Sequence, residues 1–141
     1  MRDSGMRVAR PSGSTQRKFV AALAALVLAG AGSTIVAEQK FPDVVAVSVK
    51  PRGANVFDFD VTVSSPYDTA QRYADAFRVM DKGGRVFGER ILLHDHADEQ
   101  PFTRDLRGVA IPAGIRTVVV QARDRKYGYG GKTLEVALPG R

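Results

Sequence analysis

The stretch LLHDHADEQPFTRD, residues 92 to 105, contains the two histidines of the chain, two positions apart. On an extended strand His94 and His96 project from one face, with Cα atoms roughly 6.5 to 7 Å apart. Both imidazoles can then reach one ion, and neutral imidazole suits Zn²⁺ or Cu²⁺. Asp98 and Glu99 follow closely enough to complete an N₂O₂ ligand set. Soft Cu(I) fits less well, because there is no cysteine and Met80 is the only methionine after residue 37. The competing reading is a strand end and polar turn, in which Asp95 and Asp98 bond backbone amides. The turn reading comes first and the metal site second.

Catalysis by the same cluster would need a nucleophile or a bound water. Ser64 and Ser65 lie in DVTVSSPYD, without the G-x-S-x-G turn that exposes a nucleophilic serine. Paired carboxylates for glycoside hydrolysis need a sugar cleft, for which a domain of about 100 residues has little room. Solvated strand faces and loop caps account better for Asp58, Asp60, Asp98 and Glu99. A second stretch, Tyr127-Gly128-Tyr129-Gly130-Gly131, reads as a glycine-rich loop. There Tyr127 and Tyr129 offer rigid amphipathic contact area to a partner. It lacks the G-x-x-x-x-G-K-[ST] pattern of a phosphate loop.

The elements that must position these residues follow a leader. The chain has 141 residues and a formal charge of +6, but five basic residues and one acid fall within residues 1 to 37. From Glu38 onward 16 basic residues face 14 acidic ones, about +2, so nucleic-acid backbone binding loses its main support. Arg17-Lys18 precedes the uncharged run Phe19 to Ala37, the layout of a secretory signal peptide with cleavage expected after Ala37. Nineteen uncharged residues are also about the length of a membrane span, so an uncleaved anchor is the alternative for residues 1–37. With no cysteine, the domain over 38–141 has no disulfides and no lipidated cysteine, and must rest on its hydrophobic core.

Period-two alternation dominates that domain. In VVAVSVK, Val45, Val47 and Val49 share a face. In NVFDFDVTVSS, Phe57, Phe59, Val61 and Val63 oppose Asp58, Asp60 and Thr62. A short helical turn is expected over Ala70 to Tyr73, and a hairpin over AFRVMDKGGRVFGERILL with Phe77 and Val79 inside. Asp75 is read as a loop residue before a strand starting at Ala76, the other option being an inward carboxylate paired with Arg78, Arg104 or Arg123. Val118, Val120 and Ala122 alternate in RTVVVQARD, and Leu134, Val136 and Leu138 in the last strand. About seven short strands with one wet face each argue for an all-β, antiparallel β-sandwich after an N-terminal signal helix.

The segment IPAGIRTVVVQARDRKYGYGGKTLEVALP resembles the last two strands of bacterial immunoglobulin-like and fibronectin-type-III-like domains: alternating valines, Ala-x-Asp, a glycine-rich loop and a closing strand. The resemblance implies that fold and no catalytic residue, and the Cys-Trp-Cys core of antibody domains is missing. The whole segment after the leader also resembles small exported bacterial proteins without an assigned role. These readings together describe an exported, non-enzymatic module, periplasmic or secreted, with no cofactor. Its expected partner is a protein or envelope component, with membrane contact only if the leader is uncleaved. The alternative is a periplasmic Zn- or Cu-binding protein using His94 and His96, with a zinc-dependent hydrolase a distant third.

Overall fold

Alternating apolar residues need a second apolar surface to cover them, and two sheets supply it for each other. The computed structural model describes residues 38–141; the leader reading lies outside the described residues. Seven strands follow in order: β1 (Asp43–Gly53), β2 (Val56–Ser64), β3 (Ala74–Met80), β4 (Val86–Ile91), β5 (Phe102–Ala110), β6 (Thr117–Asp124) and β7 (Gly128–Ala137). One sheet has the order β1-β2-β5 and the other β4-β3-β6-β7, with all neighbours antiparallel. The chain therefore changes sheet between β2 and β3, again between β4 and β5, and again between β5 and β6.

The core lies between the sheets. Phe57, Phe59, Val61 and Val63 of β2 meet Phe77 and Val79 of β3 and Val118, Val120 and Ala122 of β6, all buried. Phe102, Ile111 and Leu138 close it, and Leu134 and Val136 pack against it from β7. Burying a residue such as Phe59 stabilises the fold by about 1.5 to 3 kcal/mol relative to leaving it in water.

Three local expectations change. In β1 the pairing slips between Val44 and Ala46, so Val44 is buried and Val45 is 47% exposed, while Val47 and Val49 still face the core. A bulge adds one residue and reverses the facing on one side of it. Second, β3 starts at Ala74 rather than Ala76, and Asp75 belongs to the strand. Arg123 on β6 donates to it twice, at 2.7 and 3.2 Å, so the carboxylate is paired rather than loose in a loop. Third, residues 66–72 form a turn and bends, with no helical turn over Ala70 to Tyr73.

The glycine-rich stretch is also mostly strand, since β7 begins at Gly128. Its glycines make room for the segment leading into β1. A Cβ on Gly130 would overlap the Phe41 ring, and one on Gly131 would overlap the Pro42 carbonyl oxygen. Gly131 moreover has φ +75°, a conformation that residues with a Cβ rarely adopt.

Candidate functional site

One end of the sandwich gathers the residues whose types could do chemistry. There β1, β3, β5 and β7 begin and β2, β4 and β6 finish, so residues 38–42, 65–73, 92–101 and 125–127 lie together. Asp124, the last residue of β6, organises one half of this end. It shares the inward parity of Val118, Val120 and Ala122 and is fully buried. Its carboxylate accepts hydrogen bonds from the Tyr67 hydroxyl at 2.7 Å and from the Lys126 and Tyr127 amides at 2.8 Å each. Arg72 Nε lies 3.2 Å away as an ion-pair partner, without hydrogen-bond alignment. Burial alone would raise the Asp124 pKa, but the Tyr67 hydroxyl, the two amides and the Arg72 charge outweigh it and hold the group below the usual carboxylate range. Burial, reinforced by Asp124, pushes the Tyr67 phenol well above its ordinary value.

Arg72 carries this network out to the surface. Its guanidinium lies 4.1 Å from the Tyr67 ring centre and 4.9 Å from that of Tyr127. Its Nη1 reaches Glu38 at 3.3 Å, and its Nη2 donates to the carbonyls of Gln39 and Lys40. Residues 38–40 are thus clamped to the rest of the domain. Glu38, Gln39, Lys40, Arg72 and Tyr127 line a cleft of about 220 Å³. Tyr127 is 44% exposed there, with Lys40 Nζ 4.8 Å and Lys126 Nζ 5.2 Å from its ring centre.

Tyr129 lies elsewhere. It sits on the outer face of the four-stranded sheet, where its hydroxyl donates to Glu89 and the Arg78 guanidinium stacks 3.8 Å from its ring. Burial and the Glu89 charge push its phenol well above the ordinary value. The two tyrosines do not form one loop surface, because β-strand pairing starts between them.

The histidine stretch forms the other half of the end. Its loop is held to residues 65–68 by buried polar groups: Asp68 accepts from the His96 amide at 3.0 Å and the Ala74 amide at 3.1 Å. Gln100 accepts from the Ser65 amide at 2.8 Å and donates to the His96 carbonyl at 3.0 Å. The Ser65 hydroxyl, fully buried, takes a further bond from Gln100, and among the described residues no serine or threonine hydroxyl is bonded to a histidine. His96 is buried and stacks on Phe102 with ring centres 4.0 Å apart. His94 is exposed, 4.8 Å from His96 between ring centres, and its Nδ1 lies 2.7 Å from the Asp95 carbonyl.

Both imidazoles line one small cleft of about 140 Å³ with Arg90, Arg104 and the side chains of residues 91–93. Leu93 at its edge is 82% exposed. Glu99 is engaged by Arg104 at 3.0 and 3.3 Å, which holds its carboxyl below the usual range. Asp98 is exposed. Burial, then Arg104 and His94, hold the His96 pKa below its ordinary value against the opposing pull of Asp68 and Glu99, so its ring is neutral at pH 7. The structure thus brings His94 and His96 together and turns Glu99 toward Arg104. Among the described residues no group of three or more His, Asp or Glu side chains is arranged to hold a metal ion.

No family model and no solved structure matches this chain. It is similar to a protein of Halomicrobium mukohataei named "Putative lipoprotein", with 36% identity over 94 residues. The match covers 67% of this chain and 46% of that protein, so the chain spans less than half the length of the relative it matches.

Proposed function

We propose that the chain is an exported β-sandwich of the immunoglobulin-like type that acts as a binding or interaction module in the cell envelope, without chemistry of its own. The observation that carries this reading is the placing of exposed Leu93 and exposed Tyr127 beside two of the clefts, at one end of the sandwich. Two further clefts, of about 280 and 350 Å³, lie at the other end, but no large apolar side chain there is as exposed as Leu93. Loops at the end of such a scaffold are held by rigid strands and are free to vary, which suits recognition. Similarity to a protein named a lipoprotein supports the envelope location. None of the chain's 141 residues is a cysteine to be lipidated, whereas residues 19–37 are uncharged and about as long as a membrane span. Gln100 donates to the Ser65 hydroxyl, and among the described residues no hydroxyl is bonded to a histidine, which favours a binder over a serine hydrolase.

A native envelope extract tests the reading. The protein should run in an assembly larger than its own mass, and Leu93→Asp with Tyr127→Ala should return it to the monomer position. Ala113→Asp, in the turn at the far end, should leave the assembly intact. Equal loss with either change would argue against the loop end.

Metal binding by His94 and His96 remains the second reading, favoured by one contact. If His94 Nδ1 donates to the Asp95 carbonyl, Nε2 is left with a free lone pair, the arrangement common in ligating histidines. The Arg104 guanidinium in the same cleft and the commitment of Glu99 to it weigh against this reading.

A further inference from the structure

We propose that the cleft at the end of β4 binds a single small oxyanionic group, a phosphate or a carboxylate, through the guanidinium groups of Arg90 and Arg104 and the ring N–H of His96. This deepens the loop-end reading and rests on it. The polar side chains lining the cleft are Arg90, Arg104, His94 and His96, with no carboxylate among them. Every one of them can donate a hydrogen bond. Asp105 occupies only Nη1 of Arg90, and Glu99 and the Thr103 carbonyl occupy Nη1 and Nη2 of Arg104. Among the described residues, Nε and Nη2 of Arg90 and Nε of Arg104 carry no hydrogen bond, so Arg90 retains a paired donor edge and Arg104 a single donor nitrogen. Planar guanidinium groups match the oxygens of carboxylate and phosphate in pairs.

His96 adds a neutral donor. Its Nδ1 is buried without a hydrogen-bond partner. A buried acceptor without a partner is less costly than a buried N–H without one, so the ring hydrogen belongs on Nε2. Among the described residues the Asp68 carboxylate takes the Ala74 and His96 backbone amides and makes no hydrogen bond to the His96 ring. An Nε2–H donor helps an anion and is useless to a metal ion. Arg90 and Arg104 are each ion-paired, with Asp105 and Glu99, and the N–H donors left over favour an anion over a cation. A volume of about 140 Å³ suits a group of phosphate size, being several times the roughly 30 Å³ share of one water. Leu93 and Ile91, exposed at the cleft, would touch the carbon part of a larger ligand.

The test titrates the exported protein with inorganic phosphate, and in a separate arm with acetate, at constant ionic strength. The readout is the amide and ring resonances of His94, His96 and Arg104. Saturable shifts confined to these residues are expected in at least one arm, and the tighter arm identifies a phosphoryl or a carboxylate group as the natural ligand. Arg104→Gln and Arg90→Gln should each weaken binding about tenfold or more, the usual loss of a charge-assisted bond. Arg104→Lys, which keeps the charge and loses the fork, should fall between, and Arg52→Gln on β1 should change nothing. Dispersed amide spectra confirm that each variant is folded. Absence of saturable shifts in both arms would overturn the proposal, as would shifts unaffected by both glutamine variants. So would Zn²⁺ saturating these resonances at lower concentration than either anion. Failure here with the envelope assembly still sensitive to Leu93 and Tyr127 would remove the ligand assignment and spare the module.

Discussion

Replacing Asp124 should unfold the loop end more severely than any other single polar change. The carboxylate is fully buried, with three hydrogen-bond donors and the Arg72 guanidinium around it. Asp124→Ala leaves a buried hydroxyl and two amides without their acceptor, and the Arg72 guanidinium without its buried counter-ion. Removing one partner of a buried pair costs about 3 to 5 kcal/mol. Asp124→Asn keeps the shape and loses the charge, and hydrogen bonds to charged groups exceed neutral ones by about 1 to 1.5 kcal/mol, so a loss of roughly 1 to 3 kcal/mol is expected. At roughly 4 to 8 °C per kcal/mol for a domain of this size, the alanine variant should melt at least 12 °C lower. Urea unfolding followed by circular dichroism measures both, with exposed Asp98→Ala as a control expected within about 0.5 kcal/mol.

The pH dependence has a defined sign. The native pKa of Asp124 is depressed, so its contribution is fully present above the unfolded carboxylate value near 3.9 and is lost as pH falls through the native value. The gap between wild type and Asp124→Asn should therefore be constant near neutrality and close below about pH 4. An asparagine variant as stable as wild type at pH 7, or a gap that widens in acid, would refute the role given to this carboxylate.

Other outcomes follow from the same structure. Phe59→Ala should cost about 3 to 5 kcal/mol and Asp60→Ala about 0.5 or less, measured by the same unfolding experiment. Gly131→Ala, strained at φ +75° and overlapping the Pro42 carbonyl, should cost more than 1 kcal/mol, read as a drop in melting temperature. Zn²⁺ and Cu²⁺ should shift the melting temperature of wild type and of the His94→Ala, His96→Ala double variant alike; a shift seen only in wild type would establish the metal reading. Intact mass of the exported protein should begin at Glu38, whereas a full-length species in the membrane fraction would show an uncleaved anchor.

The fold was legible because period-two patterning reports directly on which face is wet. Phe57, Phe59, Val61 and Val63 alternate with Asp58, Asp60 and Thr62, and all four apolar residues are buried. Consecutive valines at Val44 and Val45 carry no such information, so the bulge that buries the first and exposes the second is invisible in the sequence. Glycine reveals freedom and missing bulk but not its beneficiary. Gly130 and Gly131 read as part of a glycine-rich recognition loop, although they make room for Phe41 and Pro42, which are distant in sequence. Asp124 had a signal, the parity of Val118, Val120 and Ala122. Its partners Tyr67 and Arg72 come from another loop, which only the paired sheets bring near. The histidine spacing suggested two imidazoles near one point, and both rings line one cleft, but spacing says nothing about Arg90 and Arg104, which line it with them.

Site-specific photo-crosslinking in the living envelope tests the central reading most directly. A photoreactive residue placed at Leu93 or at Tyr127 should give a discrete higher-mass adduct, and one placed at Ala113 in the far-end turn should give none. Adducts of equal yield from all three positions, or from Ala113 alone, would contradict a binding surface at the loop end.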